Sequence, residues 1–195
     1  MKRFLDILIA LIVLFIFLPF GVVISILIAL ESKGGVFYTQ ERIGKKGIPF
    51  GLLKFRSMRS NADQLGQLTV GSRDPRVTNI GHFIRKYKLD EFPQFINVLK
   101  GDMSIIGPRP EVKKYVDLYS IDQREVLQVK PGITDYASIE YFEENKLLGE
   151  SENPEKTYIE EIMPAKLLLN KKYLDNPTFF HDLKIIWLTF RKIIS

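Results

Sequence analysis

Between Asp6 and Glu31 no side chain carries a charge. As one continuous helix, that run would measure roughly 36 Å, against about 30 Å for the hydrocarbon core of a bilayer. It is too long for the apolar part of a secretory signal, and Glu31-Ser32-Lys33-Gly34 offers no cleavage site of small residues, so the segment is expected to be retained. Pro19 lies near its middle and has no N–H for the Phe15 carbonyl. A break there would leave arms of about 22 and 16 Å, each too short to cross alone. Lys2 and Arg3 precede the run, and Lys33, Arg42, Lys45 and Lys46 follow it, so flanking charge does not orient a simple span. Two readings stand: a hairpin that re-emerges on its own side, and a kinked spanning helix whose freed carbonyls find other partners.

The 195 residues allow one compact domain beside this segment. With no cysteine, disulfides and thiolate metal sites are excluded, and two distant histidines, His82 and His181, argue against a histidine zinc centre or a Ser-His-Asp triad. The net charge of +5 is concentrated in Arg42, Lys45, Lys46, Lys54, Arg56 and Arg59, with no acid between them. Beside a membrane segment, such charge suits anionic head groups and substrate phosphates, and nucleic acid is not expected.

Ser32-Lys33-Gly34-Gly35 reads as a hinge. Residues 36–40 and 50–55 are β-like on either side of Gly44-Lys45-Lys46-Gly47, which predicts a hairpin. Residues 61–76 read as a loop or a short helix, and 80–85 as helical. The stretch 140–161 is strongly acidic and reads as a solvated face. The last helix sets Phe179, Leu183, Ile186, Trp187, Phe190 and Ile194 on one face, for a membrane interface or for the core.

From Asp90 onward, Phe92, Phe95, Ile96 and Leu99 recur at helical spacing. Pro93 is tolerated only in a first turn, which puts Asp90 and Glu91 at the helix N-terminus, where backbone N–H groups favour negative charge. Asp90 could then be a simple N-cap. Two adjacent carboxylates among arginines and lysines also suit magnesium-assisted chemistry on a phosphorylated substrate.

The chain resembles the bacterial sugar transferase family, the monotopic phosphoglycosyl transferases that start glycan assembly on polyprenyl phosphate. The likeness runs through Lys2-Arg3-Phe4-Leu5-Asp6, Phe37-Tyr38-Thr39-Gln40-Glu41-Arg42-Ile43-Gly44, Lys54-Phe55-Arg56-Ser57-Met58 and Leu89-Asp90-Glu91-Phe92-Pro93-Gln94. It continues in Asn97-Val98-Leu99-Lys100-Gly101-Asp102-Met103-Ser104, Gly107-Pro108-Arg109-Pro110 and Lys130-Pro131-Gly132-Ile133-Thr134. The resemblance implies transfer of a sugar-1-phosphate from a UDP-sugar to polyprenyl (undecaprenyl) phosphate, with UMP released. It makes Asp90 the nucleophile, Glu91 the magnesium residue, and Lys54, Arg85 and Arg109 the holders of the diphosphate. It further implies an α+β fold: a mostly helical catalytic domain over 34–195 with a short β-hairpin and interfacial helices, and a re-entrant membrane helix over 1–33 broken at Pro19.

The implied location is the bacterial inner (cytoplasmic) membrane, with the catalytic domain facing the cytoplasm, and a homo-oligomer is compatible with it. Leu18 stands where the family commonly has serine, and Asn170 where it has an aspartate. Asp135-Tyr136-Ala137-Ser138 departs from the commoner Gly-Leu-Ala-Gln, at the sugar end of the site. Competing readings are a non-catalytic scaffold for glycan assembly and a glycosyltransferase that releases UDP.

Overall fold

The apolar run forms one helix, α1 (Lys2–Glu31), which continues across Pro19 without interruption. The expected break into two arms is therefore not seen. A helix in an apolar surrounding can carry a proline when its neighbours absorb the lost bond. The structure, a computed structural model, describes residues 2–60, 62, 68, 70, 71 and 74–194. The predicted loop or short helix over 61–76 falls largely outside the described residues.

Only 11% of the most apolar stretch of α1 is buried, so it is not a core helix. A narrow face of Asp6, Ala10, Ile24 and Ile28 meets the protein, while Phe4, Phe15, Ile16, Phe20 and Leu30 are among the side chains left exposed.

Both ends of α1 are tied to the same domain. The Arg3 guanidinium donates to the carbonyls of Val98 (2.6 Å) and Leu99 (3.1 Å), at the C-terminal end of α3 (Gln94–Lys100), where carbonyls lack helical partners. Asp6 accepts from Ser104 Oγ (2.9 Å) and the Ile105 N–H (3.0 Å). At the other end, the Glu31 carboxylate accepts from the N–H groups of Asn79 (2.7 Å) and Ile80 (2.8 Å), capping α2 (Asn79–Lys86). In between, Phe17 stacks on Phe92 with ring centroids 3.7 Å apart.

The predicted hairpin is present. Strands β1 (Phe37–Ile43) and β2 (Pro49–Phe55) pair antiparallel, with Phe37 opposite Phe55 and Ile43 opposite Pro49. The preceding hinge uses Gly34 and Gly35, both at positive φ. A second, shorter pair went unpredicted: β3 (Ser104–Ile106) runs parallel to β4 (Gly132–Thr134). At this pair, Gly107, just past β3, touches Gly132, the first residue of β4. A Cβ on Gly132 would stand 2.1 Å from the Gly107 nitrogen, so both positions require glycine. This crossing seats Arg109.

The remaining helices are α4 (Lys113–Val116), α5 (Tyr136–Glu140), α6 (Glu144–Gly149), α7 (Pro154–Thr157), α8 (Met163–Asp175) and α9 (Phe179–Ile194). A π-helical stretch, Tyr158–Ile162, leads into α8. Helix α9 packs on the core through a residue outside the face read from the sequence. Ile185 is fully buried on the domain side, while Phe180, Trp187, Phe190 and Ile194 are left without cover. The fold is thus mixed helix and strand, with helix predominating.

Candidate active site

Asp90 is not the N-cap of a long helix. Lys88 adopts a left-handed conformation (φ 55°), a short 3-10 turn follows over Leu89–Glu91, and α3 begins only after Pro93. The turn drives Asp90 inward, where it is 6% exposed and its Oδ1 has no hydrogen-bond partner. An unpaired carboxylate oxygen in so buried a position is costly, and such exceptions cluster where chemistry occurs.

The same turn sends Glu91 toward Arg109. Arg109 Nη1 donates to Glu91 Oε2 at 2.9 Å, and Nη2 donates to Oε1, making a two-pronged pair. The backbone N–H of Arg109 is itself held by the Asp135 carboxylate at 3.0 Å, and Asp135 is fully buried. Behind the cavity lining, the Asn97 side chain clamps β2, accepting from the Leu53 N–H (2.9 Å) and donating to the Gly51 carbonyl (2.8 Å). That clamp presents the neighbouring Lys54.

Lys54, Arg85, Asp90, Glu91 and Arg109 all line one cavity of 470 Å³. The five residues implied by the resemblance are therefore brought together. Asn170 lines the cavity too, whereas Pro19, inside α1, is not part of its lining. The basic cluster over 42–59 divides: Lys54 and Arg42 both line the cavity, Arg42 paired there with Glu111 (2.8 Å), while Arg56 binds the hinge carbonyls of Gly34 and Gly35. The acidic stretch is mostly exposed as expected. Glu144 is the exception; half-buried in the cavity wall, it is paired with Lys166 at 2.6 Å. Sequence reasoning also missed Lys88, although it stands two residues before Asp90, and Glu111, which directly follows the Gly-Pro-Arg-Pro motif.

The electrostatics separate the two carboxylates. Burial, then the charge of Glu91, push the Asp90 carboxyl above its ordinary range, although Lys54, Arg85 and Lys88 pull it back. Burial acts on Glu91 in the same sense, but the charge and hydrogen bonds of Arg109 outweigh it and hold Glu91 well below the usual carboxylate range. Lys54 is pushed down to about 8 by loss of hydration, partly offset by Glu91.

The consequences for pH dependence have definite signs. For any reaction run in this cavity, kcat/KM reports groups of the unliganded protein. Lys54 loses its proton above about pH 8, so kcat/KM should fall about tenfold per pH unit there. A catalytic Asp90 would set an acid limb above the ordinary carboxylate range. A pH–rate profile tests both limbs, and Lys54→Arg should remove the alkaline one. A profile flat to pH 10 would contradict the assignment.

Magnesium usually binds through one or two carboxylates together with substrate phosphates. The Asp90–Glu91 pair fits that role: Asp90 Oδ1 is unpartnered, and Glu91 would exchange one of its bonds to Arg109. Among the described residues, no group of three or more His, Cys, Asp or Glu is placed to hold a metal without substrate.

The other walls differ in character. Ile9 and Val13 of α1, with Ile186, Phe190 and Ile193 of α9, make one side apolar. Those two helices also carry the exposed apolar faces.

Comparison with known proteins agrees with this arrangement. The family described as bacterial sugar transferase matches residues 1–195. A Bacillus subtilis (strain 168) protein, provisionally named as an undecaprenyl-phosphate N-acetylgalactosaminyl 1-phosphate transferase, is 52% identical over 133 residues, covering 68% of this chain and 70% of its own. An Aeromonas hydrophila UDP-N-acetylgalactosamine-undecaprenyl-phosphate N-acetylgalactosaminephosphotransferase is 38% identical over 100% of this chain and 44% of its own. The Escherichia coli (strain K12) UDP-glucose:undecaprenyl-phosphate glucose-1-phosphate transferase is 36% identical over 97% of this chain and 39% of its own. The chain thus spans less than half the length of the last two. The match runs through the cavity residues and the apolar helix alike, and the chain belongs to the bacterial sugar transferase family.

Proposed function

We propose that this protein transfers a sugar-1-phosphate from a UDP-sugar to polyprenyl phosphate at the membrane surface, through a phosphosugar-aspartyl intermediate on Asp90. The observation that carries this reading is the buried Asp90 Oδ1, unpartnered, in a cavity walled by Lys54, Arg85 and Arg109 on one side and by apolar residues of α1 and α9 on another.

A carboxylate needs no general base to act as a nucleophile, which suits a site without histidine. An Asp90 oxygen forms a bond to the sugar-bearing phosphorus. The bond from that phosphorus to the bridging oxygen breaks, and UMP leaves with the electron pair. An oxygen of the lipid phosphate then attacks the same phosphorus, the acyl-phosphate bond breaks, and the Asp90 carboxylate is restored. Repulsion between anions is the main barrier, and Lys54, Arg85 and Arg109 reduce it as fixed donors around the transferring group. A magnesium ion held by Asp90, Glu91 and the diphosphate would add further neutralisation of that charge.

The apolar wall supports a prenyl acceptor, and the names of the relatives supply the chemical class on both sides of the reaction. The attachment of α1 supports a monotopic arrangement. A helix of 30 residues is about 45 Å long, yet residues at both of its ends bind the same domain. A domain confined to one side of a bilayer cannot hold both ends of a helix that crosses it.

Purified protein given UDP-sugar and magnesium without lipid should release about one UMP per active site in a burst. Release of UDP would move the reading to a glycosyltransferase, and no nucleotide release would favour a scaffold. Labels at the N-terminus and at residue 33 should both be reached only from the cytoplasmic side. A periplasmic N-terminus would establish a span instead.

A further inference from the structure

Besides Asp90 Oδ1, two further oxygens in the cavity wall have no hydrogen-bond partner among the described residues. Asn170 is 4% exposed and its Oδ1 makes no hydrogen bond; the Ser138 Oγ is likewise buried and unbonded. Both residues line the 470 Å³ cavity that contains Asp90 and Lys54. They lie on α8 and α5, which pack directly together, with the Tyr136 and Tyr173 rings edge to face at 6.4 Å. A buried amide oxygen left unpaired costs about 1–3 kcal/mol, so a bound group that donates to it gains more than one bonding to a solvated atom.

We infer that Asn170 and Ser138 bind the sugar of the donor, as a subsite presenting one acceptor and one hydroxyl to a hexose rich in O–H or N–H groups. The inference rests on the phosphoglycosyl transfer proposed above and deepens it.

The stereochemistry of that reaction supports the assignment. Attacking and leaving oxygens stand roughly in line at phosphorus. UMP therefore departs from the side opposite Asp90, and the lipid phosphate later arrives at that same position. Nucleotide and lipid take turns in one region. The sugar stays attached to phosphorus through both steps, off that line, and needs a compartment of its own. The α1 and α9 wall is apolar and the wall around Asp90 is cationic. Ser138 on α5 and Asn170 on α8 add to the same cavity a polar surface whose buried oxygens lack partners. Asn170 Oδ1 can only accept, whereas Ser138 Oγ can accept or donate, and both suit sugar hydroxyls or an acetamido N–H.

The competing occupant is a water. A void of about 20 Å³ borders Asn170 behind Pro108 and Pro110, enough for one molecule.

The test compares Asn170→Ala and Ser138→Ala with wild type in the full chain in detergent. Initial rates are taken with UDP-N-acetylgalactosamine and with UDP-glucose, and UMP serves as product inhibitor. For whichever donor wild type uses better, Asn170→Ala should raise KM about tenfold, equivalent to ~1.4 kcal/mol of binding. The inhibition constant of UMP should move less than about twofold, because UMP carries no sugar. A parallel weakening of UMP would assign these residues to the nucleoside and overturn the inference. An unchanged KM would leave Oδ1 to water and overturn it equally. Should Asn170→Ala fail to fold, Asn170→Ser and Ser138→Ala carry the same comparison. If wild type releases no UMP from either donor, the transfer reaction itself fails, which is a separate result.

Discussion

Asp90→Asn should leave an enzyme that melts higher than wild type and releases no UMP. Loss of a covalent nucleophile costs on the order of 10⁴-fold or more in turnover, so neither burst nor steady state should be measurable. The gain in stability follows from the same burial. The folded-state pKa of Asp90 lies above its unfolded value, so the folded protein binds the proton more tightly than the unfolded chain does. The associated stability is present below the unfolded carboxylate pKa and is lost as pH rises through the folded one. At neutral pH an ionised Asp90 is therefore a net cost, and a neutral amide of the same shape removes it. Thermal unfolding without ligand, in detergent at pH 7.5, measures the shift. Mass spectrometry of donor-treated protein without acceptor should find the phosphosugar adduct on wild type and none on the variant. An unchanged burst in Asp90→Asn would refute the nucleophile assignment.

Arg109→Ala should be the most damaging change on the other side of the pair. The Glu91 side chain is 14% exposed, and both of its oxygens are held by Arg109. Removing the guanidinium strands a buried carboxylate, a loss of about 3–5 kcal/mol. For a chain of this size, that corresponds to a fall in Tm on the order of 10 °C. The donor kcat/KM should fall about 10²–10³-fold with the loss of a fixed cation facing the phosphates. The double variant Glu91→Gln/Arg109→Ala should recover part of the stability and none of the activity. If it recovered both, Arg109 would be a structural partner only. The pair has the opposite pH sign to Asp90. Its stability is present above the unfolded carboxylate pKa and is lost as pH falls through the depressed pKa of Glu91.

The cavity residues were legible because ordered motifs marked them. Lys54, Arg85, Asp90, Glu91 and Arg109 come from separate stretches and meet in one cavity. The hairpin was legible because alternation and a glycine-bounded turn are local signals: the strand expected over 36–40 runs over 37–43, and the one expected over 50–55 over 49–55. What stayed hidden depends on contacts distant in sequence. Nothing near Gly107 announces that its backbone must pass against Gly132, and the parallel pairing of β3 with β4 went unpredicted for the same reason. The left-handed Lys88 was also missed, since lysine gives no sign of positive φ. That one residue shortened the expected helix and turned Asp90 from a surface cap into a buried group. Glu144 was hidden by its acidic neighbours, because composition assigns a whole stretch to solvent and cannot single out the one that turns inward. The apolar segment was legible in length and chemistry, while its continuity across Pro19 was not.

The cap that Glu31 places on α2 joins two parts of the molecule that otherwise have separate duties. One end of that eight-residue rod is fastened to the last turn of α1; near its other end, Arg85 stands in the cavity wall. A displacement of that end of α1 would thus reach, through a single short helix, a cation in the cavity wall.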